Sequence, residues 1–130
     1  MSRRGVIHLP ESRVDEAAEA LAQAFQDDPL QTYTFSDREE RRRLAPAHFA
    51  AILRYGLLSG QVFTGIERGS GAAIWIPPGA EHTPDMAEAS GLTRLPETIG
   101  ADAAGRFGRM VDYAEAAHHR DMPAPHWYVE

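Results

Sequence analysis

Apolar side chains recur at helical spacing in three segments of the chain, and each segment predicts an amphipathic helix. The first segment contains Val14, Ala17, Ala18, Leu21, Ala22 and Phe25; the second contains Phe49, Ile52, Leu53 and Gly56; the third contains Phe107, Met110, Val111 and Ala114. We expect the first helix to run to about residue 26, because Pro29 follows and the residue before a proline avoids helical backbone angles. The second helix should span residues 37–58 and the third residues 101–119.

Four other segments have the shorter periodicity of strands. Residues 6–9 form a short apolar run that Pro10 stops. Residues 61–67 and 72–76, separated by the glycine-containing turn 68–71, predict an antiparallel hairpin. The last five residues, 126–130, alternate between β-formers and polar residues and predict a strand that has just begun. We expect that strand to leave unpaired backbone groups at a sheet edge.

Local signals refine the helix boundaries. Residues 12–15 and 36–39 both resemble capping boxes, with Ser12 and Ser36 as the capping residues. Pro46 predicts a kink or a restart inside the second helix, and Gly60 should follow its end. Residues 80–100 contain prolines and glycines that allow only short helical turns, so we expect this stretch to be irregular.

The predicted order is therefore strand, helix, helix, hairpin, helix, strand. A hairpin packed against helices indicates a mixed α/β (α+β) layered fold. At 130 residues the chain has the size of a single domain.

Composition narrows the possible functions. The net charge is −6, which argues against a general nucleic-acid binder. The chain has no cysteine, so it has no thiolate site and no cysteine nucleophile. No apolar run approaches the roughly 18 residues of a membrane helix, and we expect a cytoplasmic protein. All 13 basic residues are arginine, which is typical of a high-GC bacterial genome.

Three patches in this order resemble the first half of the GCN5-related N-acetyltransferase family. They are residues 24–29, which end the first helix; residues 71–79, a hairpin strand broken by two prolines; and residues 126–129, which are similar to the opening of the family's fourth strand. The resemblance spans roughly residues 5–130. It implies an acceptor-side half of the family's fold and transfer of an acetyl group from acetyl-CoA to an amine of a small molecule or peptide.

The chain departs from the family pattern at the cofactor site. In the family, a Gln/Arg-x-x-Gly-x-Gly/Ala turn follows the fourth strand and holds the pyrophosphate of coenzyme A at a helix N-terminus. Two segments, residues 68–71 and residues 100–108, are glycine-containing, but neither follows a strand and opens a helix. Residues 68–71 are the predicted hairpin turn, and residues 105–108 lie within the third helix pattern. We therefore expect no cofactor-binding residues, no tight binding of acetyl-CoA, and little or no activity from these residues alone.

The resemblance also implies candidate site residues. Tyr128 and Glu130 on the terminal strand are the candidates for the catalytic base, with packing and a frayed terminus as the alternative interpretations. The candidates for substrate binding are Asp28, Tyr33, Phe35, Trp75 and His126. Asp28 could hold a cationic acceptor or simply cap a turn, and Trp75 could line a pocket or belong to the core.

Other polar groups have simpler interpretations. His118 and His119 are adjacent and point about 100° apart on a helix, so we expect no metal site. The basic run at residues 38–43 also contains acidic residues, which favours a salt-bridged exposed face, with an RNA or phosphate patch as the alternative. A different hypothesis for the whole chain is a non-catalytic binding or assembly module that forms a homodimer through the terminal strand.

Overall fold

The computed structural model describes residues 5–65, 71–76, 84–121 and 128–129. The strands are β1 (Val6–His8), β2 (Gln61–Gly65), β3 (Ala73–Ile76) and β4 (Tyr128–Val129). The helices are α1 (Val14–Ala24), α2 (Pro29–Thr34), α3 (Arg38–Ser59), α4 (Pro84–Ser90), α5 (Leu95–Ile99) and α6 (Ala101–Asp121), with 3₁₀ turns at Glu11–Arg13 and Leu92–Arg94. The described residues thus form a mostly helical α+β fold.

The strands form one antiparallel sheet in the order β1-β2-β3-β4. Val62 pairs with Ile74, which confirms the predicted hairpin. In β2 burial alternates, with Val62 and Thr64 buried and Gln61 exposed, as a sheet covered on one face requires. The terminal strand joins this sheet, since Trp75 pairs with Val129.

Two clusters of buried side chains hold the elements together. We call the first the sheet-side core; it consists of Leu9, Val14, Ala17, Ala18, Ala50, Leu53, Val62 and Ile74. The second, the helical core, consists of Ala22, Phe35, Ala45, Ala51, Leu95, Ile99 and Ala103. Helix α3 contributes to both clusters, so it is the element shared by the two halves of the interior.

The long helices end close to the predicted positions, but their N-termini differ. A 3₁₀ turn precedes α1, and its capping position Arg13 makes no side-chain cap, so the predicted capping box at Ser12 is wrong. Asp37, and not Ser36, caps α3 by accepting a hydrogen bond from the Glu40 amide at 2.8 Å. Helix α3 also continues through Pro46 as one element, so the predicted alternative of a restart is wrong.

Short helices form at residues 29–34, where no helix was predicted, and within residues 80–100, where only short helical turns were expected. Residues 29–34 form α2, because Asp28 caps the helix and Pro29 occupies its first turn, where the missing amide costs nothing. Between residues 84 and 99 lie α4 and α5. Here the glycines mark helix boundaries: Gly91 and Gly100 have φ angles of 94° and 95°, in the left-handed region that favours glycine. The predicted turn at residues 68–71 lies outside the described residues except for Gly71.

Candidate functional site

One face of the sheet is covered by helix α3 and the other is open. Ile74 is buried against Gly56 of α3. A Cβ atom added to Gly56 would lie 2.9 Å from Cδ1 of Ile74. Successive side chains of a strand point to opposite faces. Trp75 therefore lies on the open face, where it is 42% exposed.

The open face holds a shallow groove of about 490 Å³. Its lining includes Val6, Phe63, Gly65, Ala73 and Trp75. Thr64 also lines it and donates a hydrogen bond from its hydroxyl to the Gly71 carbonyl at 2.6 Å. The described residues of this lining offer apolar and aromatic surface and no acid or base, so they can hold an apolar part of a ligand without supplying proton transfer.

Two other predicted binding residues lie on helix α2. The Asp28 carboxylate accepts a hydrogen bond from the Leu30 amide at 2.9 Å, so the alternative interpretation of this residue as a cap is confirmed. Tyr33 is 44% exposed, and its hydroxyl accepts a hydrogen bond from Nε of Arg109 at 3.2 Å. Asp28 therefore fixes the start of α2, and Tyr33 links its end to α6.

Phe35 is part of the interior and not of an open pocket. It is completely buried, and its ring lies edge-on to the ring of His48 with centroids 5.7 Å apart. Phe35 was a candidate for substrate binding, but it directly follows the short helix α2 and its side chain lies in the helical core. Its role in the structure is packing.

The predicted binding residues do not form one pocket among the described residues. Trp75 is on the sheet face away from α3, whereas Tyr33 and Phe35 belong to the helical layer. Of the terminal candidates, Tyr128 is placed by its backbone, which pairs with Ile76. The Tyr128 side chain, His126 and Glu130 lie outside the described residues.

His48 is a notable residue that the sequence analysis did not single out. It is 1% exposed, and burial lowers its pKa to about 4, so the ring is neutral at pH 7. Within the described residues, neither ring nitrogen has a hydrogen-bond partner. The ring of Phe107 is edge-on to it at a centroid distance of 4.3 Å. His48 lies three residues after Ala45 and three before Ala51, so it shares a helix face with these two alanines. This spacing is the sequence signal that could have placed His48 in the interior.

Arginines around α2 were also missed. Arg41 was expected on an exposed, salt-bridged face, and this is wrong: it is 5% exposed, and its Nη1 donates to the Phe35 carbonyl at 2.7 Å. Arg41 lies four and seven residues before Ala45 and His48, so the helix turns all three toward the interior. Its neighbours Arg42 and Arg43 are exposed, as expected.

Among the described residues, no group of three or more His, Cys, Asp or Glu side chains could hold a metal ion. Within the same residues, every helix is too short or too polar to cross a bilayer.

Comparison with known proteins places the chain in no family. No protein-family model matches the sequence, and no curated protein matches it significantly.

Proposed function

We propose that this chain forms the acceptor-binding part of a GCN5-related N-acetyltransferase, which transfers an acetyl group from acetyl-CoA to an amine of a small molecule or peptide. The observation that carries the proposal is the sheet. Its four strands are antiparallel and follow the chain order, and the hairpin of β2 and β3 is followed by β4 on the β3 side. This arrangement agrees with the three sequence patches that resemble the first half of the family.

The groove on the open face lies beside strand β4, because Trp75 lines the groove and pairs with Val129. In the proposed reaction the amine attacks the thioester carbonyl directly, with no covalent enzyme intermediate. The amine must first lose a proton, and Tyr128 or Glu130 would accept it, directly or through water. The oxyanion of the tetrahedral intermediate would need a hydrogen-bond donor, and the departing thiolate would need a proton.

The glycine-containing segments at residues 68–71 and 105–108 do not follow the fourth strand and open a helix, as the turn that holds the coenzyme A pyrophosphate does in the family. The proposal therefore expects these residues to bind amines but not to bind acetyl-CoA tightly or to turn it over. Acetyl-CoA would be the co-substrate of the complete enzyme.

Calorimetric titration of the chain with a panel of primary amines, and separately with acetyl-CoA, tests this proposal. We expect binding of at least one amine class, weakened in Trp75→Ala and unchanged in the control Tyr113→Ala, which alters an exposed tyrosine on α6. An acetyl-CoA turnover assay with the same amines should give no robust activity. Tight capture of acetyl-CoA, robust turnover, or failure to bind any amine would each overturn the proposal.

A specific observation favours the assembly module as a second candidate. In the order β1-β2-β3-β4, strand β4 has a single neighbour and so lies at an edge of the described sheet. An edge strand can add to the sheet of another chain. Mass measurement during size-exclusion chromatography separates the two candidates: a stable dimer that binds neither amines nor acetyl-CoA would favour the assembly module.

A further inference from the structure

Three consecutive residues at the end of helix α2 each accept a hydrogen bond from a different arginine. Arg109 donates to the Tyr33 hydroxyl at 3.2 Å, and Arg106 donates to the Thr34 carbonyl through Nε at 3.1 Å and Nη2 at 2.9 Å. Arg41 donates to the Phe35 carbonyl at 2.7 Å. Successive Cα atoms are about 3.8 Å apart. Three guanidinium groups therefore donate to a segment only three residues long, Arg109 to the tip of a side chain and the other two to backbone carbonyls.

The three arginines of this group form no ion pair with a carboxylate among the described residues. Among those residues, ion pairs with carboxylates involve Arg13, Arg54 and Arg94, and none of the three arginines around α2. The carbonyl oxygens that they contact carry only the partial charge of a helix C-terminus. Like charges held together in this way favour a bound anion that offsets their repulsion.

The base of the group is buried and its rim is accessible. Arg41 is only 5% exposed, and its Nε has no hydrogen-bond partner among the described residues. Burying a cation is costly unless it is paired. Arg109 and Tyr33, at the other end, are exposed. A ligand could therefore reach the group from the Arg109 side.

The three arginines have N–H donors that these hydrogen bonds do not use. Each guanidinium carries five N–H donors. Arg41 and Arg109 each make one side-chain hydrogen bond within the described residues, and Arg106 makes two. Guanidinium groups match the oxygens of phosphate and carboxylate in pairs. A phosphate monoester carries close to two negative charges at neutral pH, which suits a cluster of three cations better than a single carboxylate does.

We propose that Arg41, Arg106 and Arg109 form a binding site for a phosphate group at the end of helix α2. This proposal does not depend on the proposed acetyl transfer, because it rests only on the charges and contacts around α2. The ligand would be a phosphorylated small molecule or inorganic phosphate, held by the donors that the three arginines do not use on Tyr33, Thr34 and Phe35.

Titration of the 130-residue chain with inorganic phosphate, at constant ionic strength maintained with sodium chloride, tests the site. We expect saturable binding that weakens about tenfold in Arg109→Gln and in Arg106→Gln, because each variant loses charge-assisted hydrogen bonds. The matched control is Arg42→Gln, which removes the same charge from an exposed position on α3 next to Arg41. In this control the affinity should change by less than about twofold.

The variant Arg109→Gln keeps the test valid even if Arg106→Gln unfolds, since Arg109 is exposed and only its Tyr33 contact is lost. Succinate, a dianion with two separate carboxylates, provides the second arm and should bind at least about tenfold more weakly than phosphate. No saturable phosphate binding by the unmodified chain would overturn the proposal. Equal weakening in Arg42→Gln, or equal affinity for succinate, would do the same.

Discussion

The two cores of this protein are built on different chemistry. The sheet-side core contains only apolar side chains, and its larger members, such as Leu53 and Val62, are 1% exposed. The helical core is largely alanine around Phe35, and it lies beside the buried polar residues Arg41 and His48. The buried polar group beside the first core is Thr64, which is neutral and donates a hydrogen bond to the Gly71 carbonyl. The second core lies beside an arginine and a histidine that has no hydrogen-bond partner among the described residues.

This difference has an energetic consequence. Apolar burial changes little with pH. A buried polar group without a partner carries a desolvation cost, and that cost rises when the group becomes charged. The helical core should therefore be the part of the interior that acid weakens, while the sheet-side core should be sensitive mainly to changes in shape.

Acidification should produce the largest effect through His48. In the unfolded chain a histidine takes up a proton below its ordinary pKa of 6.5, whereas the buried ring does so only below about 4. The unfolded state therefore binds more protons between these values, and this group's contribution to stability falls as the pH drops from 6.5 to 4. The shift corresponds to about 3 kcal/mol. Above pH 6.5 the contribution is constant.

Urea unfolding at pH 7.5 and at pH 4.5 measures this effect as the difference between the parent protein and His48→Leu. The variant cannot be protonated at this position, and we expect it to lose about 2–3 kcal/mol less than the parent on acidification. The control His8→Gln changes an exposed histidine on strand β1 and leaves His48 in place, so it should not reproduce the effect of His48→Leu. Equal acid sensitivity in the parent and in His48→Leu would contradict the link between His48 and the helical core.

A change of shape should disturb the sheet-side core next most strongly. A Cβ at Gly56 would lie 2.9 Å from Cδ1 of Ile74 and 3.1 Å from its Cγ1 and Cγ2 atoms, and Ile74 is 3% exposed. We expect Gly56→Ala to destabilise the protein by about 1–3 kcal/mol, because the branched side chain has little room to move.

Gly108→Ala is the matched control for this substitution. Gly108 is also helical, but a Cβ there meets nothing within 4 Å. The variant should gain about 0.5–1 kcal/mol, since alanine has the higher helix propensity. Thermal unfolding of both variants measures the contrast. If Gly56→Ala left the stability unchanged, Ile74 would have moved at little energetic cost, and the contact between α3 and β3 would be loose.

The two cores also differ in how far the sequence predicted them. Val14, Ala17, Ala18 and Leu53 lie on predicted apolar stripes, and the hairpin that carries Val62 and Ile74 was predicted from alternation. These signals are local, because each depends on the periodicity of one element. These local signals were sufficient to predict the elements that form the sheet-side core.

The helical core depends on elements whose signals are short or ambiguous. Helix α2 has six residues and α5 has five, too few to show a helical period. Phe35 and Arg41 are buried only because α2, α3 and α6 meet around them, and no local pattern encodes that meeting. The separation of Trp75 from Tyr33 likewise follows from tertiary packing, so the candidate binding residues could be listed from the sequence but not assembled.

The smallest effect concerns the N-terminus of α3, the helix that both cores share. The sequence favoured Ser36 as its cap, but the Asp37 carboxylate accepts the hydrogen bond from the Glu40 amide at 2.8 Å. Asp37→Ala should therefore destabilise the protein by about 1 kcal/mol. Ser36→Ala should change stability by less than about 0.5 kcal/mol, as expected for an exposed residue without a capping role.

Urea unfolding of both variants at pH 7.5 provides the measurement, with an unchanged dependence on urea concentration showing that the unfolded state is not altered. If Ser36→Ala were the more damaging of the two, α3 would begin one residue earlier in solution, with the capping box that the sequence favoured.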